Sequence, residues 1–166
     1  MLALSTELER ERIALRPIEP GDGAFLRALF AACRPDGALL ALWPASERDA
    51  FLDMQFKFQG LHYRRFYPGA DFLLVERVGE PLGRLLLDRQ TDPWCVVDIG
   101  LMPATRGAGI GTALLRCVQD AASRAKASVS LQVEIGNRAR LLYERLGFVT
   151  TDETGTHIAM RWPGIS

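Results

Sequence analysis

Three glycines, Gly107, Gly109 and Gly111, alternate along residues 106–112, which read Arg106, Gly107, Ala108, Gly109, Ile110, Gly111, Thr112. Directly after them Leu114, Leu115, Val118, Ala121 and Ala122 recur at helical spacing. The glycines remove side chains where the chain turns into the helix, so a ligand can reach consecutive backbone N–H groups. The first N–H groups of a helix have no intrahelical acceptor, and its dipole adds partial positive charge there. A pyrophosphate is the expected guest. A P-loop needs Gly-Lys-Ser/Thr, and no Lys follows any of these glycines. A dinucleotide fingerprint needs G-x-G-x-x-G; counting from Gly107 the last position is Thr112, and from Gly109 it is Leu114, so both fail. A Gly-rich turn that merely starts a helix is the plainer alternative, but each glycine there sacrifices stability without supplying a side chain to pack.

A second constellation follows at residues 137–148, Asn137-Arg138-Ala139-Arg140-Leu141-Leu142-Tyr143-Glu144-Arg145-Leu146-Gly147-Phe148. Tyr143 carries a phenol, which stays protonated at neutral pH and can donate. Asp98, eight residues before Arg106, could take a proton directly or through water, or could equally cap a turn or pair with an arginine. Glu134 is a second candidate base; Gln132 cannot ionise.

The loop matches R-x-x-G-x-G and resembles the acetyl-CoA loop of the GNAT (Gcn5-related N-acetyltransferase) superfamily, with Leu101-Met102-Pro103 similar to its lead-in. The second constellation resembles that superfamily's Asn, Ala, Leu-Tyr-x-x-Leu-Gly-Phe signature. The resemblance covers roughly residues 96–148. It implies acetyl-CoA as co-substrate, held by the backbone of residues 106–112. It also implies that the strand at 94–101 splays from the strand at 129–135, so that Ile99 and Leu101, with Gly100 between them, line the pantetheine arm. Asn137 would contact that arm or hold the helix start. Tyr143 would protonate the departing thiolate, and Asp98 lies where many members carry an acid, which makes it a candidate general base beside Glu134 or water. The activity implied is direct transfer of acetyl to a primary amine of a small molecule, peptide or protein, without a metal; the rival is a non-catalytic acyl-CoA sensor on the same fold.

The elements that must position these residues read as β-α-α-β-β-β-α-β-α-β-β. Residues 13–17 alternate as a strand. Asp22 and Ser46 are candidate N-caps for helices carrying Phe25, Leu26, Leu29 and Phe30, and then Phe51, Leu52, Phe56 and Phe58. Residues 72–77 and 81–88 form a hairpin about Val78-Gly79-Glu80. Residues 94–101 form the strand leading to the loop, and Gly147 ends the helix carrying Tyr143. This predicts one α/β (α+β) domain over residues 1–166, with a mixed sheet of six to seven strands and four helices, and with residues 1–11 disordered or peripheral.

Twenty basic and 20 acidic residues cancel, so no net field draws the chain to nucleic acid or to an anionic membrane. No apolar run approaches the ~20 residues that span a bilayer, and the first residues lack a signal-like apolar stretch. A cytoplasmic monomer or homodimer is expected. Cys33, Cys95 and Cys117 lack CxxC spacing and read as reduced, buried thiols. Acceptor recognition, which in this superfamily involves the first two helices and the last hairpin, would draw on Trp43, Phe56, Phe58, His62, Tyr63, Phe66, Tyr67, His157 and Trp162. An aromatic stripe at helical spacing more often fills a core, so these residues name no substrate.

Overall fold

Alternating apolar residues along five of the strands give the sheet one face that must be covered. In the computed structural model, which describes residues 2–164, Ile13, Leu15, Leu73, Val75, Leu85 and Leu87 all belong to one buried cluster with the helix that follows the Gly-rich loop. Met1, Ile165 and Ser166, part of the domain expected over residues 1–166, lie outside the described residues.

The elements in chain order are α1 (Thr6–Arg10), β1 (Ile13–Pro17), α2 (Gly23–Ala32), α3 (Gly37–Leu40), α4 (Ala45–Phe66), β2 (Asp71–Arg77), β3 (Glu80–Asp88), β4 (Trp94–Leu101), α5 (Ile110–Arg124), β5 (Val129–Glu134), α6 (Ala139–Arg145), β6 (Val149–Glu153) and β7 (His157–Trp162). The seven strands form one mixed sheet in the order β1-β2-β3-β4-β5-β7-β6. Every neighbouring pair is antiparallel except β4 and β5, which are parallel and joined by the crossover through α5. Residues α5 buries, such as Leu114, Leu115 and Val118, lie against one face, and α2 and α4 cover the β2–β4 half of the other, where Leu74 and Leu86 are buried.

Four expectations need correction. Residues 2–11 are neither disordered nor peripheral: Leu2 and Leu8 are buried in the main core, and the Ser5 N–H donates to Cys117 Sγ on α5 at 3.2 Å. Among the described residues six helices form where about four were expected, because α1 and the single turn α3 are too short for their periodicity to register in the sequence. The second long helix begins at Ala45 with Pro44 as its cap residue, not at a Ser46 cap, and it runs on through the aromatic stretch to Phe66. Asp22 does precede α2, but its carboxylate holds Arg16 and the Glu19 N–H instead of the helix start.

The β4–β5 pairing lasts only three residues, Trp94 with Val129, Cys95 with Ser130 and Val96 with Leu131. Beyond it the strands part. On its other edge β4 shifts register against β3, Leu87 facing Val96 and Leu86 facing Asp98, so Val97 is an extra residue in a bulge. A bulge increases local twist and bends its strand, which accounts for the divergence starting there. Gly83 permits the close β3–β4 approach above it, since a Cβ at that position would collide with the Gly100 carbonyl oxygen.

Candidate active site

The Gly-rich segment folds as two linked turns. Residues 103–105 make a 3-10 turn, with the Thr105 hydroxyl donating to the Met102 carbonyl at 2.8 Å. Gly107 and Gly109 then adopt φ of +80° and +81°, the left-handed region that side-chain-bearing residues avoid, and Gly109 serves as the N-cap of α5. Among the described residues, none of the backbone N–H groups of Gly107, Ala108, Gly109, Ile110, Gly111 and Thr112 has a hydrogen-bond acceptor. Arg106 is the exception to the expected run, since its N–H donates to the Pro103 carbonyl at 3.2 Å. Its guanidinium also turns back, Nε to the Leu101 carbonyl at 3.1 Å and Nη2 to Cys33 Sγ at 3.2 Å. Arg106 therefore braces the loop against β4 and α2. Six open amides at a 15-residue helix N-terminus form a concave donor surface suited to a diphosphate.

The edge of β4 completes the arrangement. Met102 N–H bonds to the Leu82 carbonyl at 2.8 Å. Hydrogen-bonded residues alternate in an antiparallel pair, so Gly100 and Asp98 direct their backbone groups to β3, while Ile99 and Leu101 direct theirs into the β4–β5 gap. Ile99 and Leu101 thus stand where a strand-like ligand would pair, except that the Leu101 carbonyl is held by Arg106. Gly100, between them, directs its backbone to β3 and not to the gap. Its missing side chain instead leaves room beside Cys33 Sγ and Leu29, which a Cβ would meet at 3.5 and 4.0 Å. Cys33 is exposed rather than buried, at the end of α2 where it meets this brace.

Tyr143 lies on α6, and two backbone bonds past the helix end set its position: Phe148 N–H to the Tyr143 carbonyl and Gly147 N–H to the Glu144 carbonyl, both 3.0 Å, with Gly147 at φ +85°. The Phe148 ring packs 6.0 Å from the Tyr143 ring. Burial, reinforced by the Asp98 charge, pushes the phenol up to about 12. Its hydroxyl has no partner among the described residues, nor is it one of the side-chain oxygens sealed from solvent without a bond. It is a buried, protonated donor.

Asp98 pairs with Arg84, the arginine reading left open by the sequence. Arg84 is itself buried in β3, donates through Nη2 to Gln59 of α4 at 2.7 Å, and lies over the Tyr63 ring at 5.7 Å. Burial and then the Asp98 charge also raise the Tyr63 phenol, with Arg84 opposing. Asp98 therefore stands between two protonated phenols. Sequence reasoning missed Arg84 and Gln59; the available signal was an arginine inside the apolar run of residues 82–87.

Asn137 takes the helix-start role: its Oδ1 accepts from Ala139 N–H at 2.9 Å. Its amide nitrogen has no partner among the described residues. Glu134 is exposed at the open end of β5, near enough to Arg34 to help raise that guanidinium, although Asp36 is the larger cause. Where β4 and β5 begin to part, a cavity of about 280 Å³ is lined by Tyr67, Cys95, Val97, Ser130, Gln132 and Arg161. Burial raises both the Tyr67 phenol and the Cys95 thiol. Of the aromatic residues singled out in the sequence, Tyr63 and Tyr67 turn toward the sheet, whereas Phe58, His62 and Phe66 are exposed. Among the described residues no helix is long and apolar enough to cross a membrane, and no His, Cys, Asp and Glu cluster could hold a metal ion.

Residues 68–150 match the acetyltransferase (GNAT) domain family. Among proteins of curated function none matches the sequence. Solved structures with the same fold include PaiA N-acetyltransferase from Thermoplasma acidophilum in complex with coenzyme A, at 16% identity and TM-score 0.67 over 90% of this chain and 98% of that one. An acetyltransferase from Thermus thermophilus superposes at 19% identity and TM-score 0.64, over 90% and 95% of the two chains. Arabidopsis thaliana Naa50 in complex with the bisubstrate analogue CoA-Ac-MVNAL superposes at 17% identity and TM-score 0.61, over 90% and 97%.

Proposed function

The chain belongs to the GNAT acetyltransferase family, and from that premise we propose that it transfers the acetyl group of acetyl-CoA to a primary amine by direct attack within a ternary complex. The observation that carries this reading is the run of acceptor-free amides from Gly107 to Thr112, set at the start of α5 beside the unpaired edge of β4. The amides receive the diphosphate. The arm that follows it lies along Ile99 and Leu101 as an added strand, with the Asn137 side chain as a further contact in this reading.

The acceptor enters from the side of α2 and α4, with its non-reacting part in the cavity beside Tyr67, Ser130 and Gln132. Its nitrogen attacks the thioester carbonyl carbon, forming the C–N bond as the C–S bond breaks. Backbone N–H groups of the β4 edge polarise the carbonyl oxygen. The departing sulfur takes its proton from Tyr143, and the proton lost by the amine passes, directly or through water, to the Asp98 oxygen that Arg84 leaves free. A peptide amine is among the acceptors this reading admits, with support from the Arabidopsis relative and its peptide-bearing bisubstrate analogue.

Two measurements on the folded protein test this together: calorimetry with coenzyme A and acetyl-CoA, and thiol release from acetyl-CoA against a panel of amines, amino acids and peptides. Heat with both ligands and thiol release with at least one acceptor are expected. An absence of heat with either ligand would remove the reading. Heat without thiol release for any acceptor would make the protein an acyl-CoA-binding module instead.

A further inference from the structure

Helix α4 has two unlike faces. Leu52, Phe56, Gln59 and Tyr63 turn inward toward the sheet and α2, whereas Met54, Phe58 and Leu61 are 46%, 58% and 52% exposed. Steps of four and three residues align the latter three in one stripe along the helix. Glu47 lies seven residues before Met54 and Arg65 four residues after Leu61, so both fall on the same line. Each is exposed, and among the described residues neither forms an ion pair. The face therefore runs from an acid, across an apolar centre, to a base.

That order is self-complementary. Residues 47 and 65 are equidistant from residue 56, and so are residues 54 and 58. When two such helices pack antiparallel, each Glu47 meets an Arg65, and each Met54 meets a Phe58. We propose that a second copy of this chain docks here, α4 against α4, about a two-fold axis passing near residue 56. The interface is isologous, the same patch serving both copies, as closed dimers require. The remaining exposed charges follow the same polarity, Asp49 and Asp53 in the first half of α4 and Lys57 and Arg64 in the second. From Glu47 to Arg65 the stripe spans ~27 Å at 1.5 Å per residue. An anionic membrane surface would favour basic residues along the whole polar border, and the acidic first half of α4 opposes that occupant.

Sedimentation velocity and equilibrium of the full chain over a concentration series test the proposal. The wild type is expected at twice the 18.4 kDa chain mass. Phe58→Asp is expected to be monomeric with an unchanged circular dichroism spectrum, since the side chain it replaces makes no part of the core. Glu47→Arg alone sets like charges opposite each other twice per dimer and is expected to weaken association more than tenfold. Adding Arg65→Glu to it restores the pairing with reversed sign and should restore the dimer. A wild type that remains monomeric throughout, a dimer indifferent to Phe58→Asp, or a double swap no better than the single one would each overturn the proposal. So would a monomer that cosediments with phosphatidylglycerol–phosphatidylcholine vesicles.

Discussion

Tyr143 and Asp98 act on one another through the cleft: the carboxylate charge and the phenol's own burial both oppose formation of phenolate. At any assay pH near neutrality Tyr143 stays protonated, and in the proposed reaction removing its hydroxyl takes away a group needed only as the thiolate forms. Tyr143→Phe is expected to lower kcat more than tenfold while leaving acetyl-CoA affinity nearly unchanged by calorimetry; unaltered turnover would exclude it from the reaction. The same shift makes stability depend on pH. A phenol raised to about 12 when folded, against 10 when unfolded, contributes its full stabilisation, ~3 kcal/mol, below pH 10 and loses it as pH rises through 12. Urea midpoints should therefore fall over that window, and less steeply in Tyr143→Phe. Asp98 is argued as the proton acceptor, so Asp98→Asn should lower kcat more than tenfold; unaltered turnover would assign the proton to another base.

At the scale of elements, the site is made of ends and edges. The amides of residues 107–112 are open because a helix start has no earlier carbonyls to serve it and because two glycines in left-handed conformation fold the approach away from them. An alanine at Gly109 would meet no neighbouring atom within 4 Å, so its only penalty is conformational. That penalty, about 1–2 kcal/mol, corresponds to a roughly 5–30-fold change in an equilibrium. Gly109→Ala is accordingly expected to weaken coenzyme A binding by that factor in a calorimetric titration, with little change in the core. The gap between β4 and β5 has a comparable local origin. One extra residue, Val97, bends β4 away after three paired positions and leaves Ile99 and Leu101 without a partner on β5.

Over the whole molecule, the two halves of the sheet are held together mainly by α5 and what packs on it, since the strands joining them pair so briefly. Helix α1 belongs to that support: Leu8 is 1% exposed, and Ser5 N–H reaches Cys117 of α5. Leu8→Ala should cost about 2–4 kcal/mol through lost burial and the cavity left behind. A lowered urea midpoint with an unchanged slope would register it; a change below ~0.5 kcal/mol would mean the N-terminal turn is not integral to the fold.

The loop, the strand before it, the helix after it and the Tyr143 helix were legible in the sequence because each depends on local rules. Gly107 and Gly109 announce a backbone that must bend where side chains cannot, strict periodicity marks α5, and Gly147 marks a helix end. Other features have no local signature. Residues 2–11 look polar and short, and only packing against α5 makes them core. Asp98 could have been base, cap or ion-pair partner; the register of β3 against β4, set by a bulge, brings Arg84 beside it. Arg106 reads as part of a phosphate loop, yet its N–H and guanidinium are drawn back to the 3-10 turn, β4 and Cys33. Spacing along a chain determines which backbone groups a segment can leave open, because those are consequences of dihedral angles and of helix ends. Which side chains meet across the cleft is decided only when strands from distant parts of the chain take up register, because a shift of one residue turns every side chain to the opposite face.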